Sequence, residues 1–600
     1  MRAYIKSDNF KTVLDFNNLL GSFFIYKNKE RNVIDMKQLL SKIICSYLEG
    51  ISEKEVEELL EIPPETQMGD YSLPCFSLAK KLKKSPAIIA QQLKEAMDKH
   101  LDDSKISNLQ SINGYLNIYL NKTTYIQTIL NQLIDDNFGL ELEGKGKVIC
   151  MDYSSPNIAK NFHVGHLRTT VIGNSLYKIY SKLGYQVIRI NHLGDWGTQF
   201  GKLILAYKAW SSKEKVEKDG IEELLRIYVQ FNNEAENNPK LKEEARVWFA
   251  KMEQGDEEAL TIWKWFYNIS VKEFEQVYKL LNMEFDYCLG ESFYMDKVPA
   301  LVEELKEKKL LVESQGANII NLEEYNMPPC LITKKDGSSI YHSRDIAAIL
   351  YRKGEFNFEK CLYVTGVEQK LHFAQIFKAI ELMGYDWADG LVHIPYGLVS
   401  FAGEKLSTRT GNIIYAEDIL HEAINRSFQL VSQKNPHLEG KEEIAEKVGV
   451  GAVIFHDLFH QRVKEVRFSW EEVLSFEGAT GPYIQYTYAR AKSILRKSEI
   501  KEMGGNVNAE LLLDKASYEL VKKMALYADK VKEAADRYEP SVVARYVWEL
   551  ASVFNKFYHE CNILNADKET KKVRLILVDA TQRIFKSGME LLGIQCPEEM

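Results

Sequence analysis

Cysteine is sparse and scattered: eight residues in 600, with no CxxC pair among them. That excludes a zinc ribbon and a disulfide framework, and makes a reducing compartment the simplest setting. Long apolar runs are missing as well. None reaches the roughly 20 residues that a membrane-spanning helix needs. Near the N-terminus LLGSFFIY is short and has no small-residue cleavage site behind it, which argues against a secretory signal. Positive charge is not in excess either. A formal net charge of −8 argues against blanket coating of nucleic acid, while leaving a local basic face open. No low-complexity tract and no internal repeat is visible.

What remains is the composition of an ordinary globular protein, 45% apolar and 27% charged. Six hundred residues exceed one core, so two to four domains are expected. The first 35 residues look unlike the rest, and an upstream leader or a mis-assigned start is the plain reading of them. Met36 opens a helical pattern, MKQLLSKIICSYLEG. GDYSLPCFSLAKKLKKSPAIIAQQL (69–93) reads as a turn, a short apolar segment and two helices parted by Ser85-Pro86. SINGYLNIYL (111–120) reads as a strand entered through an Asn113-Gly114 turn. These segments form a small α/β unit over 36–143.

KVICMDYSS then predicts a strand, LRTTVIGNSLYKIYSKLG a helix stopped at Gly184, and QVIRINHLG a second strand. Such a succession predicts a parallel βαβ unit. Residues 203–315 are charged and helical, which predicts an insertion outside the sheet. The α/β pattern returns at CLYVTGVEQ (361–369), the helix KLHFAQIFKAIELMG and the strand VHIPYGLVSF (392–401). Beyond Phe468 nearly everything is helical.

Between the first strand and its helix stands DYSSPNIAKNFHVGHLRTT, with two histidines about one glycine. A strand–loop–helix entrance offers free backbone N–H groups and a helix dipole to a phosphate or nucleotide. His163 and His166 lie three apart on one face there, able to donate hydrogen bonds as phosphate charge builds. Gly165 would let a flat base or ribose approach the backbone. Metal ligation by the two histidines is a rival, weakened because no third ligand stands at the usual spacing. A second basic, hydroxyl-rich loop, GEKLSTRTGN (403–412), follows a predicted strand and suits a polyphosphate leaving group; taken alone, it reads equally as a surface turn.

In this order and on these elements, the two motifs resemble the HIGH and KMSKS pair of class I aminoacyl-tRNA synthetases. NHLGDWGTQFGKL (191–203), with DYSSPNIAK before the histidines, narrows the resemblance to arginyl-tRNA synthetases, over Met36 to Met600. It implies a Rossmann-type parallel-sheet catalytic domain over 144–400 with a helical insertion at about 203–315. It further implies a small N-terminal tRNA-binding α/β domain, a KMSKS-like connecting region over 401–470, and an all-α anticodon-binding helix bundle over 471–600. The implied reaction joins arginine to ATP as an adenylate and then to tRNA(Arg), releasing pyrophosphate and AMP. The partners are L-arginine, ATP with Mg2+ and tRNA(Arg). No structural zinc, no membrane, a cytoplasmic monomer, and arginine activation that waits for bound tRNA are the family habits.

The resemblance assigns ATP to Lys160, His163, Gly165, His166, Lys405, Ser407 and Arg409, with Lys160, Lys405 and the histidines as the catalytic group. One departure stands out: KLSTR has Thr408 where the family's second lysine usually sits. Lys160, shortly before the histidines, is expected to supply that missing cation. Arginine is assigned to Asp152, Asn157, His166, Tyr341, Asp345 and Gln369, since carboxylates satisfy a planar five-donor guanidinium. Tyr341 and Asp345 share one face if YHSRDIAAIL is helical. tRNA is assigned to Asn113, Tyr115 and Asn117, and to Tyr483, Tyr486 and Arg490 in GATGPYIQYTYARAK. There Tyr483, Tyr486 and Tyr488 cannot all face one inward stripe. Rival readings are another class I synthetase, a HIGH-type nucleotidyltransferase, and a non-catalytic tRNA-binding paralogue.

Overall fold

The computed structural model describes residues 36–63, 65–99, 104–134, 137–335, 338–401, 404–405, 415–498 and 507–600, with only the backbone of 66, 401, 404 and 405. The first 35 residues, Thr408, Ser407, Arg409 and the side chain of Lys405 thus lie outside the described residues. The chain forms two compact units. One comprises the residues up to Glu141 with Ile494–Ala528 and Ser552–Ile584; the other comprises Leu142–Ser493, Asp529–Ala551 and Phe585–Met600. Compactness therefore cuts across the expected boundary at 471.

In the first unit, strands β1 (Tyr71–Pro74), β2 (Ile106–Ile112) and β3 (Tyr115–Leu120) form an antiparallel sheet in the order β1-β3-β2. The strand expected behind the Asn113-Gly114 turn is β3, and the turn joins it to β2 as a hairpin. Asn113 (φ 52°) and Gly114 (φ 85°) are both left-handed, as a two-residue type I′ turn requires. The helix Pro86–Asp98 begins as its sequence dictates, with the Ser85 hydroxyl capping Ile88 N–H and Pro86 in the first turn. The Asp70 carboxylate accepts Leu120 N–H (2.9 Å), Tyr518 Oη–H (3.0 Å) and Lys522 Nζ (3.3 Å). It thereby ties the hairpin to the helix Lys515–Ala525.

The second unit is built on a parallel sheet in the order β11-β10-β4-β5-β6. Its strands are β4 (Val148–Asp152), β5 (Gln186–Asn191), β6 (Tyr287–Cys288), β10 (Lys360–Gly366) and β11 (Leu391–Tyr396). β4 is covered on both faces and reads accordingly as a continuous apolar run, VICM. From β4 the chain passes through the helix Val164–Lys182 to β5 on one side, while β10 flanks β4 on the other. Strand order thus reverses between β4 and β10, and the crevice beyond their C-terminal ends is where such sheets take ligands. Thr169 fastens the helix to this edge, donating to Val364 O at 2.7 Å.

Two sequence expectations are corrected here. The segment 203–315 does not lie wholly outside the sheet: after four helices, Tyr287 and Cys288 pair in parallel with Ile190 and Asn191 as an edge strand. Two exposed residues carry no periodicity that could reveal them. From Leu311 the chain also enters a separate antiparallel sheet, β7 (Leu311–Ser314), β8 (Ala317–Ile320) and β9 (Cys330–Thr333). Likewise VHIPYGLVSF is not one strand. It divides at Gly397, where a Cβ would lie 2.6 Å from Val463 O and 2.8 Å from Lys464 O. Beyond this close approach, β12 (Val399–Phe401) joins β13 (Glu404–Lys405) and β14 (Val466–Phe468) in a different sheet.

Candidate active site

His163 is the N-cap of the helix Val164–Lys182 and is itself half-buried. Its Nδ1 accepts the Gly165 N–H at 3.0 Å, and His166 Nδ1 accepts the His163 N–H at 3.3 Å. With both Nδ1 atoms acting as acceptors, each neutral ring carries its proton on Nε2. The rings stack with centroids 3.8 Å apart. Burial, and next the charge of Lys160, lower the His163 pKa. For His166 burial again comes first, then His163 and Lys160. The pair is therefore two neutral N–H donors at a helix entrance. Gly165 has a nearer cause than the approach of a base: a Cβ there would meet His163 Cε1 at 2.8 Å, so glycine makes room for the folded-back imidazole.

The loop between β4 and this helix is strained and heavily pinned. Ser154, Ser155 and Ala159 all have positive φ (70°, 46° and 56°), costing about 1 kcal/mol or more apiece. Ser154 Oγ shares a 2.8 Å bond with Tyr278 Oη and accepts Thr170 Oγ1 at 2.8 Å. Asn191 Oδ1 accepts Ser155 N–H, and Ser270 Oγ accepts Ala159 N–H. Lys160 follows directly and is exposed.

The chain just downstream of the second motif reaches the same place. β13 puts Lys405 beside Ser400 of β12. Downstream of the undescribed segment, Tyr415 bridges His163 and Ala416 N–H donates to Phe162 O at 2.9 Å. The chain leaving the basic loop is thus hydrogen-bonded to the backbone of the histidine motif.

Asp345 lies on the helix Tyr341–Phe356, one turn after Tyr341. Its carboxylate accepts His372 Nε2 at 2.7 Å and faces His192 Nε2 at 3.5 Å. Burial opposes ionisation, yet these hydrogen bonds outweigh it and hold the Asp345 pKa well below the usual carboxylate range. His192 shows the reciprocal effect: burial works against charge, but Asp345 and Asp152 raise its pKa. Tyr341 is 53% exposed, its ring 5.2 Å from that of His372. Gln369 is exposed just past β10, and Asn157 bridges Gly194, where a Cβ would lie 2.0 Å from Asn157 Oδ1.

Two assigned residues are not available as expected. Asp152 is 4% exposed, and its carboxylate is taken by the buried Arg352 (2.8 Å) and Ser155 Oγ (2.8 Å). Asn117 is 5% exposed and accepts the Ser72 hydroxyl at 2.7 Å, because β3 is the central strand of its sheet. Asn113 stands exposed at the turn, and Tyr115 is half-buried, edge-on to Phe76. Of the helix Gly481–Lys497, Tyr486 is exposed with Arg490 5.0 Å over its ring, Tyr483 is half-buried and Tyr488 is buried.

Sequence reasoning passed over Glu291, His192, Arg344, Arg352 and His372. Glu291 opens the 3-10 turn Glu291–Lys297 and pairs with Arg344 at 3.2 Å. Burial raises its pKa; Arg344 and His192 pull it down, and Asp345 and Asp195 push it up. Two carboxylates within electrostatic reach of each other suit the planar, five-donor guanidinium cation. Only the charge spacing in YHSRD hinted at this. A cavity of about 740 Å³ lies elsewhere, lined by Tyr177, Arg189, Asn191, Tyr278 and neighbours. It touches the pinning of the loop through Asn191 and Tyr278, and contains none of the assigned residues. Among the described residues no group of three or more His, Cys, Asp or Glu is arranged to hold a metal.

Comparison with known proteins gives three family models in succession. Residues 35–120 match the arginyl tRNA synthetase N-terminal domain, 126–470 the catalytic domain of class I tRNA synthetases (R), and 484–600 the DALR anticodon binding domain. The arginine–tRNA ligase of Alkaliphilus metalliredigens is 49% identical over 568 residues, 94% of this chain and 100% of the relative. That of Clostridioides difficile is 48% identical with the same coverage. Among solved structures, the Thermus thermophilus arginyl-tRNA synthetase superposes with a TM-score of 0.80 at 25% identity, covering 94% of this chain and 100% of the other. The Plasmodium falciparum enzyme superposes with a TM-score of 0.77 at 26% identity, covering 94% and 98%.

Proposed function

The chain belongs to the arginyl-tRNA synthetase family and ligates arginine to tRNA(Arg) with ATP, and we propose that one crevice at the C-terminal edge of β4 and β10 carries the activation step. Arginine's carboxylate attacks the α-phosphorus of ATP, the α–β phosphoanhydride bond breaks, and pyrophosphate leaves. A hydroxyl of the tRNA 3′-terminal ribose then attacks the carbonyl carbon of the adenylate, and AMP leaves. Magnesium enters with the nucleotide as part of the substrate and neutralises phosphate charge.

The protein's task in the first step is alignment and charge compensation rather than covalent chemistry. His163 and His166 present neutral Nε2–H donors to the phosphates. Lys160 supplies the cation missing at Thr408, and Lys405, Ser407 and Arg409 complete the grip on the departing pyrophosphate. Asp345 and Glu291 accept the guanidinium, Tyr341 covers it, and Asn157, Gln369 and His166 receive the α-amino and carboxylate end. Asp152 acts through Arg352 rather than by touching arginine. tRNA meets Asn113 and Tyr115 on one unit and Tyr483, Tyr486 and Arg490 in the helical region, where aromatic faces and a cation suit unstacked bases. The protein works as a monomer in the cytoplasm.

The observation that carries this reading is the backbone bridge to His163 from Tyr415, which follows the basic loop in the chain. The test is ATP–pyrophosphate exchange with each amino acid, with and without tRNA(Arg). Exchange that depends on arginine and on tRNA is expected. Exchange driven by another amino acid, or none, would overturn it.

A further inference from the structure

The NHLGDWG segment identifies the family by its sequence, but none of the roles above uses its aspartate. Asp195 is 1% exposed, too buried to turn its carboxylate to solvent. Both carboxylate oxygens go instead to one residue: Oδ1 accepts Ser292 N–H at 2.8 Å and Oδ2 accepts Ser292 Oγ–H at 2.6 Å. The carboxylate sits so close to the turn that a Cβ at Gly290 would lie 2.4 Å from Oδ2. Asp195 is itself held from behind, its carbonyl accepting Trp263 Nε1–H at 2.8 Å. Between Gly290 and Ser292 stands Glu291, whose own N–H donates to Leu193 O at 3.0 Å, continuing the β5–β6 ladder past its last paired residues.

From this geometry we infer that Asp195 is a positioning residue for arginine selection: by clamping Ser292 through both its backbone and its hydroxyl, it fixes the direction in which Glu291 leaves the sheet edge. The inference rests on the reading of Glu291 and Asp345 as guanidinium acceptors. A burial this complete costs a carboxylate dearly unless its bonds are made. The two bonds to Ser292 make the turn and the aspartate mutually dependent. Gly290 follows from the same clamp, since any side chain there would displace the carboxylate. A pocket of this kind rejects misfits because buried acceptors are left unmatched, and it does so only while those acceptors stay in place.

The experiment compares Asp195→Ala, Asp195→Asn and Ser292→Ala with wild type in tRNA-dependent pyrophosphate exchange. KM is measured for arginine and for ATP, and arginine is set against citrulline, its neutral isostere. Asp195→Ala should raise the arginine KM by about ten- to a hundredfold, leave the ATP KM unchanged and narrow the preference over citrulline. Asp195→Asn should recover most of the loss, because its carbonyl still accepts the N–H and its amide can donate to the hydroxyl. Ser292→Ala removes half the clamp and should raise the arginine KM by about two- to fivefold; it serves if Asp195→Ala does not fold. Equal rises in both KM values, an Asn variant as impaired as the Ala variant, or an unchanged arginine KM in Ser292→Ala would overturn the inference. Glu291→Ala separates the two levels. If it spares arginine KM, the pocket reading fails; if it raises arginine KM while Asp195→Ala does not, only the clamp fails.

Discussion

Imidazoles buried at a helix entrance beside a lysine resist protonation, because burial first and the neighbouring charge second disfavour the cation. His163 and His166 both have lowered pKa values, so the native state binds their protons less readily than the unfolded chain, whose histidines titrate near 6.5. Their contribution to stability is therefore complete above that value and lost as pH falls below it. Thermal denaturation between pH 7.5 and 5.5 should show a falling Tm, and His166→Gln should flatten the fall. A steeper fall in the variant would contradict the neutral pair. Lys160→Ala should lower exchange by about a hundredfold through loss of charge on the leaving group, with arginine affinity unchanged. Asp345→Ala, by contrast, should raise the arginine KM sharply and spare that of ATP.

Elements are joined to the histidine helix by single buried groups. Arg168 has a side chain 0% exposed; it donates to Arg462 O (2.9 Å) and Lys464 O (3.0 Å) and faces Asp457 at 3.5 Å. Those carbonyls belong to the segment leading into β14, which pairs with β12 and so bears on the strand entering the basic loop. Arg168→Met should cost about 3–5 kcal/mol in urea denaturation, because it strands two carbonyl acceptors and the largely buried Asp457 carboxylate. A loss below about 1 kcal/mol would remove Arg168 from this role. At this scale the sequence was legible wherever the pattern was local. Ser85-Pro86, Gly184, the helix after HVGH and the strand VICMD follow from caps, stops and periodicity. β6 and the division at Gly397 did not, because an edge pair of two residues and a close backbone approach depend on partners a hundred or sixty residues away. Glu291 was hidden for the same reason: its neighbours Arg344 and Asp345 come from a distant helix.

At the scale of the molecule, domain order along the chain was readable but compactness was not. The N-terminal hairpin shares a core with helices drawn from 494–528 and 552–584, through Asp70 with Tyr518 and Lys522, and through Arg583 donating to Leu133 O. Removing the residues up to 140 would strip that core, so point changes at the hairpin turn are the cleaner probe. Asn113→Ala with Tyr115→Ala should weaken tRNA charging and leave the arginine and ATP KM values as they were. The most direct measurement is a crystal structure with MgATP and an unreactive arginine analogue. The triphosphate should lie within hydrogen-bonding distance of His163 Nε2 and His166 Nε2, with Lys160 turned onto its outer phosphates. A nucleotide seated in the cavity of Tyr177 and Arg189, or anywhere away from both histidines, would contradict the site.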